Sequence, residues 1–139
     1  MVCFESSRRY TVPMTLLMIG LCGLIGIFSR YGADLYLSRF TGTFPFTTFA
    51  INLLGSFVAG LIYATGVEKQ ILSPEWRTAL LVGFAGGFTT FSAYTLQTVV
   101  QWEQGYRGLA TFYCLLSPVA GMGCALAGLS LGRLFFPST

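Results

Sequence analysis

The sequence predicts an all-α integral membrane protein with four transmembrane helices, and three observations carry that expectation. Of the 139 residues, 54% are hydrophobic and only 9% are charged, where a soluble domain carries about a quarter. The mean hydropathy is +0.69. The few charges bracket four uncharged windows, Tyr10–Ser29, Phe40–Val67, Thr78–Trp102 and Gly108–Gly132, of 20, 28, 25 and 25 residues. A helix crossing a bilayer core needs about 20 predominantly apolar residues. Each window therefore holds one crossing and not two. Residues 1–9 are left as an N-terminal tail, and residues 10–139 form one four-helix membrane domain.

The first helix occupies the window after Arg8 and Arg9 and reaches Arg30 near its end. Two arginines before an apolar stretch resemble a signal peptide, but no small-residue cleavage site follows and three more apolar spans do. The second helix should start near Phe46, because Thr41-Gly42-Thr43-Phe44-Pro45 is turn chemistry. The third should start at Ser73-Pro74-Glu75, with Ser73 as cap and Pro74 in the first position. Gln104-Gly105-Tyr106-Arg107-Gly108 reads as the short connection to the fourth. Tyr31, Tyr36, Trp76, Trp102 and Tyr106 fall near helix ends, as an interfacial aromatic belt requires. Four crossings put both termini and the central loop on one face, with five basic residues against three on the other. That small bias weakly favours termini inside and permits insertion in both directions.

Composition also excludes function classes. There is no His, so the commonest general base and proton shuttle is absent. No Lys/Arg run suits nucleic acid. Cys3, Cys22, Cys114 and Cys124 have no pairing or metal-ligand spacing. Without a nucleophile–base pair or a metal cluster, an enzyme is not expected. No Asp, Glu or Lys lies deep in a span, which argues against proton coupling through an intramembrane relay.

Uncharged polar residues carry the remaining signal. Asn52 lies about two turns into the second helix and shares a face with Ser56 and Gly60. A buried amide in hydrocarbon needs a partner, so this face suits helix–helix contact or a polar track. In the third span, Gly86-Gly87 followed by Thr89-Thr90 marks where the helix should break. Unwound backbone at that depth could hold a cation through its carbonyls; equally, Gly83-x-x-x-Gly87 is a close-packing pattern. Phe91 and Tyr94 share a helix face just beyond, where their electropositive ring edges could meet a small anion. Ser117-Pro118 and several glycines mark the fourth span, with Ser117 as a possible pore hydroxyl. Arg30 is either an interfacial anchor or a positive group at a pore mouth, with Asp34 one turn on as a possible partner. A chain this small should assemble, most simply as a two-fold dimer.

Three motifs resemble the Fluc (CrcB-type) fluoride channel family: Gly23-x-x-Gly26-x-x-x-Arg30-Tyr31, Asn52-x-x-Gly55-Ser56-Phe57-x-x-Gly60, and Gly83-Phe84-x-Gly86-Gly87-Phe88-Thr89-Thr90-Phe91-Ser92. The match covers nearly the whole chain after the tail. The resemblance implies a fluoride-selective channel in the cell inner membrane that passively exports fluoride from the cytoplasm and relieves its toxicity. It implies an antiparallel, dual-topology homodimer with two pores and a central structural sodium ion. The sodium ligands would be backbone carbonyls of Gly86 and Thr89. Asn52 would donate to fluoride, Phe91 and Tyr94 would be the pore aromatics, and Thr90, Ser92 and Ser117 would add hydroxyls. Arg30 would make the vestibule electropositive. Tyr94 departs from the pattern, since the family usually has Phe there. Two other readings compete: a small four-helix multidrug or guanidinium exporter, which needs a first-span glutamate this chain lacks, and a non-transporting membrane assembly subunit.

Overall fold

The computed structural model describes residues 3–40 and 42–135, with side chains from residue 12 onward except residues 40 and 41. Its elements, in order, are α1 (Cys3–Leu37), a 3-10 turn (Ser38–Phe40), α2 (Phe46–Ile62) running into a π-helical stretch (Tyr63–Glu68), α3 (Pro74–Thr78), a second π-helical stretch (Ala79–Ala85), α4 (Gly86–Phe88), α5 (Phe91–Glu103) and α6 (Arg107–Phe135). No strand occurs among the described residues. Four spans are long and apolar enough to cross a membrane: Val12–Leu37, Phe46–Glu68, Pro74–Glu103 and Arg107–Phe135. The chain is a multi-pass membrane protein.

The helix boundaries follow local chemistry. Phe46 opens α2 directly after Pro45, and Ser73 caps α3 by accepting from the Trp76 N–H, with Pro74 in the first turn. Gly105 turns the chain between the third and fourth spans at φ +90°, a left-handed conformation that a Cβ disfavours. The first helix differs from expectation. It continues through Arg30 to Leu37, so Arg30 lies well inside α1 and not at its end. Of the expected tail, residues 1 and 2 and the side chains through residue 11 lie outside the described residues.

Packing relies on small residues, as expected where lipid offers apolar groups as good a surrounding as another helix does. The fourth span crosses the second so closely that a Cβ on Gly128 would overlap the Phe57 carbonyl, and one on Gly60 the Ala125 carbonyl. The third span crosses α1 in the same way: a Cβ on Gly87 would lie 2.8 Å from the Gly23 carbonyl oxygen. Tyr113 of α6 is the largest fully buried side chain, wedged edge-on against Phe44 at 5.4 Å between ring centres. At one end of the bundle, Arg133 of α6 reaches Glu68 through two hydrogen bonds, of 2.7 Å and 2.5 Å. Large apolar side chains of the first and fourth spans point outward along most of their length, among them Leu17, Leu24, Phe28, Leu115 and Leu126.

Candidate functional site

The third span breaks at Thr89–Thr90, which takes extended backbone (ψ 162° and 113°) between α4 and α5. The glycines expected to cause the break stay helical. Gly87 instead admits α1 at close range, so the close-packing reading holds for it, while the break falls on the two β-branched residues that follow. β-branched side chains resist the helical rotamer set and suit extended backbone.

Extended backbone at membrane depth leaves peptide groups that need partners. Asn52 provides two. Its amide donates to the Thr90 carbonyl at 3.0 Å, and its carbonyl accepts the Thr90 N–H at 2.8 Å. One side-chain amide thus pairs with both backbone polar groups of one residue, across 38 residues of sequence. Thr90 serves itself as well, its hydroxyl accepting from the Ala93 N–H at 3.2 Å and so capping α5. Thr89 stays tied to the preceding turn, its N–H and hydroxyl both donating to the Ala85 carbonyl. Its methyl sits directly on Gly55, where no side chain would fit.

This pattern frees backbone carbonyls at the break. In a continuous helix the Thr90 N–H would serve the Gly86 carbonyl and the Ala93 N–H the Thr89 carbonyl. Both donors go to side-chain oxygens instead. Gly86 and Thr89 are therefore among the carbonyls that lose their helical donors at the break, with Gly87 and Phe88 between them. Carbonyl oxygens are hard, neutral hydrogen-bond acceptors. Among the described residues, no cluster of three His, Cys, Asp or Glu could hold a metal.

A cavity of about 400 Å³ opens beside the break. Asn52, Ser56, Thr89, Thr90, Phe91, Tyr94 and Ser117 line it, and no charged residue does. Phe91 and Tyr94 have ring centres 5.6 Å apart, and Phe91 is 76% exposed in the single chain. Ser117 lines the wall with its hydroxyl buried. Ser92 stands apart from this lining, exposed, with its hydroxyl 3.3 Å from that of Thr90.

A second groove of about 310 Å³ shares Thr90 and holds Arg30, Asp34, Thr48 and Gln97. Arg30 donates from Nε to the Gly87 carbonyl at 3.2 Å. That bond ties it to the third span just before the break. No ion pair joins it to Asp34 among the described residues, where Arg133–Glu68 is the one bridge.

Gln97, Thr48 and Tyr113 were missed by sequence reasoning. The Tyr113 hydroxyl donates to the Gln97 carbonyl oxygen at 3.3 Å, and the Gln97 amide donates to the Thr48 hydroxyl at 2.9 Å. One polar strut thus links the second, third and fourth spans. One turn on, the Gln101 amide donates to the Thr43 carbonyl at 2.6 Å. The signal that picked out Asn52, an amide in an uncharged window, was equally present at Gln97 and Gln101.

Residues 17–129 match the family described as CrcB-like protein, Camphor Resistance (CrcB). Among curated proteins, the chain is 41% identical over 115 residues to one from Agrobacterium fabrum, covering 82% of this chain and 92% of that one. It is 39% identical over 125 residues to one from Renibacterium salmoninarum (85% and 98% covered). To one from Chlorobaculum tepidum it is 40% identical over 125 residues (89% and 98%). Each of these relatives is named a fluoride-specific ion channel FluC.

Proposed function

The chain belongs to the CrcB-like family, and we propose that it is a fluoride channel passing the ion passively out of the cytoplasm and so relieving fluoride toxicity. The observation that carries this reading is the cavity at the break, lined by one amide, several hydroxyls and two aromatic rings, and free of charged side chains. Fluoride is small and strongly hydrated, so a path for it must replace water with hydrogen-bond donors. A cationic side chain lining the path would hold it too tightly to release. One Asn52 amide hydrogen is committed to Thr90, and the amide has a second to offer an anion. Hydroxyls of Ser56 and Thr90 stand in the same lining, and the ring edges of Phe91 and Tyr94 add weak positive potential without charge. Arg30, in the adjoining groove, raises the anion concentration at the mouth.

The working unit is an antiparallel, dual-topology homodimer in the cell membrane, with Phe91 completing a path against the second copy. The exposure of Phe91 and the near-even basic counts on the two faces support this arrangement. The Gly86 and Thr89 carbonyls would hold a structural sodium ion at the dimer centre, supported by the diversion of their helical donors. When bound, the ion supplies a fixed positive charge that joins the two broken helices. Everything else at the break is done by this chain's own groups. Asn52 fixes the Thr90 peptide, Thr90 starts α5, and Arg30 holds the Gly87 carbonyl.

The test is fluoride release from liposomes containing the purified protein in sodium medium, followed with a fluoride electrode. Efflux well above protein-free vesicles is expected, with no accompanying chloride release; efflux at the protein-free level overturns the channel. Replacing sodium by N-methylglucamine on both sides should slow the efflux and weaken the dimer. Unchanged rate and dimer stability would remove sodium from the proposal.

A further inference from the structure

Pro118 stands in the interior of α6. A proline has no N–H, so the carbonyl four residues earlier loses its helical donor. Here that carbonyl belongs to Cys114. Spanning helices tolerate proline where a neighbouring helix re-satisfies the freed group. Tyr94, on α5, does this: its hydroxyl donates to the Cys114 carbonyl at 2.7 Å. Tyr94 and Pro118 both line the cavity at the break. The Tyr94 ring is meanwhile held between Phe91 at 5.6 Å and Tyr113, edge-on, at 5.2 Å.

We infer that Tyr94 is a positioning residue coupled to Pro118, its hydroxyl capping the carbonyl that the proline frees and so fixing the ring beside Phe91. The cap has an electrostatic consequence for an anion path. A carbonyl oxygen with no donor presents the negative end of a dipole to its surroundings, and at low local dielectric that end repels an anion. The hydroxyl hydrogen cancels much of it. The tyrosine that departs from the family's usual Phe is thus matched to a proline on the facing helix. Its effect on conduction rests on the fluoride-channel reading, whereas the cap itself does not.

A double-mutant cycle tests the coupling. Tyr94→Phe, Pro118→Ala and the combination are compared as purified full-length protein, by fluoride efflux at equal protein content and by thermal unfolding. With Pro118 present, Y94F should slow efflux about tenfold, the loss of one hydrogen bond of ordinary strength, and lower the unfolding midpoint by about 4 °C. With alanine at 118, the backbone N–H serves the Cys114 carbonyl, and Y94F should change the rate less than about twofold and leave the midpoint unmoved. Equal Y94F effects in both backgrounds overturn the inference. Coupling in the midpoint without coupling in efflux overturns the part concerning conduction. If the unaltered protein releases no fluoride, the channel reading has failed and the midpoints alone decide the cap. Should Pro118→Ala not fold, Pro118→Leu restores the same N–H and takes its place.

Discussion

Asn52→Asp should reduce fluoride efflux on the order of a hundredfold. The substitution changes one group, NH2 to O, and acts twice. It removes the donor to the Thr90 carbonyl while keeping an acceptor for the Thr90 N–H, so two oxygens face each other across what was a 3.0 Å bond. It also places a negative charge in a cavity lined by no cation. At an effective dielectric near 20, a charge about 5 Å from the passing ion raises its energy by about 3 kcal/mol, a rate factor of roughly a hundred. Efflux from liposomes, with folding checked by size exclusion, reads the result. Unchanged flux in folded N52D protein would falsify the placement of Asn52 on the ion path. A second variant, Asn52→Leu, separates the two effects, since it removes both hydrogen bonds and adds no charge. It should lower thermal stability more than N52D does, because it leaves both Thr90 peptide groups unpaired in a dry setting.

Gly128→Leu should strongly destabilise the chain, lowering both its folded yield and its thermal midpoint. At this crossing the α6 backbone meets the Phe57 carbonyl of α2 with no room for a Cβ, and the obstacle is main chain that no rotamer change removes. The two helices would have to separate along their most extensive contact, losing packing that in lipid no hydrophobic effect replaces. Overpacking of a core typically costs about 1–3 kcal/mol, and backbone against backbone belongs at the upper end. The measurement is detergent-solubilised yield and the thermal midpoint. A monodisperse G128L protein with an unshifted midpoint would contradict the packing described. Gly123→Leu is the control, because nothing stands within 4 Å of a Cβ there; it should behave as the unaltered chain.

Much of this was legible in the residues. The starts at Phe46 and Pro74 followed from Pro45 and Ser73, because caps and prolines act on their own turn. The break was legible within the stretch Gly86-Gly87 to Thr89-Thr90 and falls on its two threonines, because glycine's low helix propensity is a local cost that close packing can outweigh. Gly87 is helical because α1 lies against it, and the chain opens at Thr89–Thr90, where Asn52 offers the peptide a partner. Arg30 was placed at the end of its helix from the charge that closes an apolar window. A guanidinium bonded to the Gly87 carbonyl can sit deeper than a lone charge. Gln97 carried the same signal as Asn52 and was passed over, whereas Tyr113 takes its role only from its contact with Gln97.

By itself the sequence determined how many times the chain crosses the bilayer and where charge may sit. Hydropathy summed over 20 residues is a one-dimensional quantity, indifferent to what lies alongside. Only the tertiary structure decided which glycines are contacts, where the third helix opens, which amide holds it open, and which tyrosine answers which proline. Those are pairings between residues on different spans, some separated by as much as 71 positions as in Phe57 and Gly128. In a medium that leaves no peptide group to water, packing alone selects such partners.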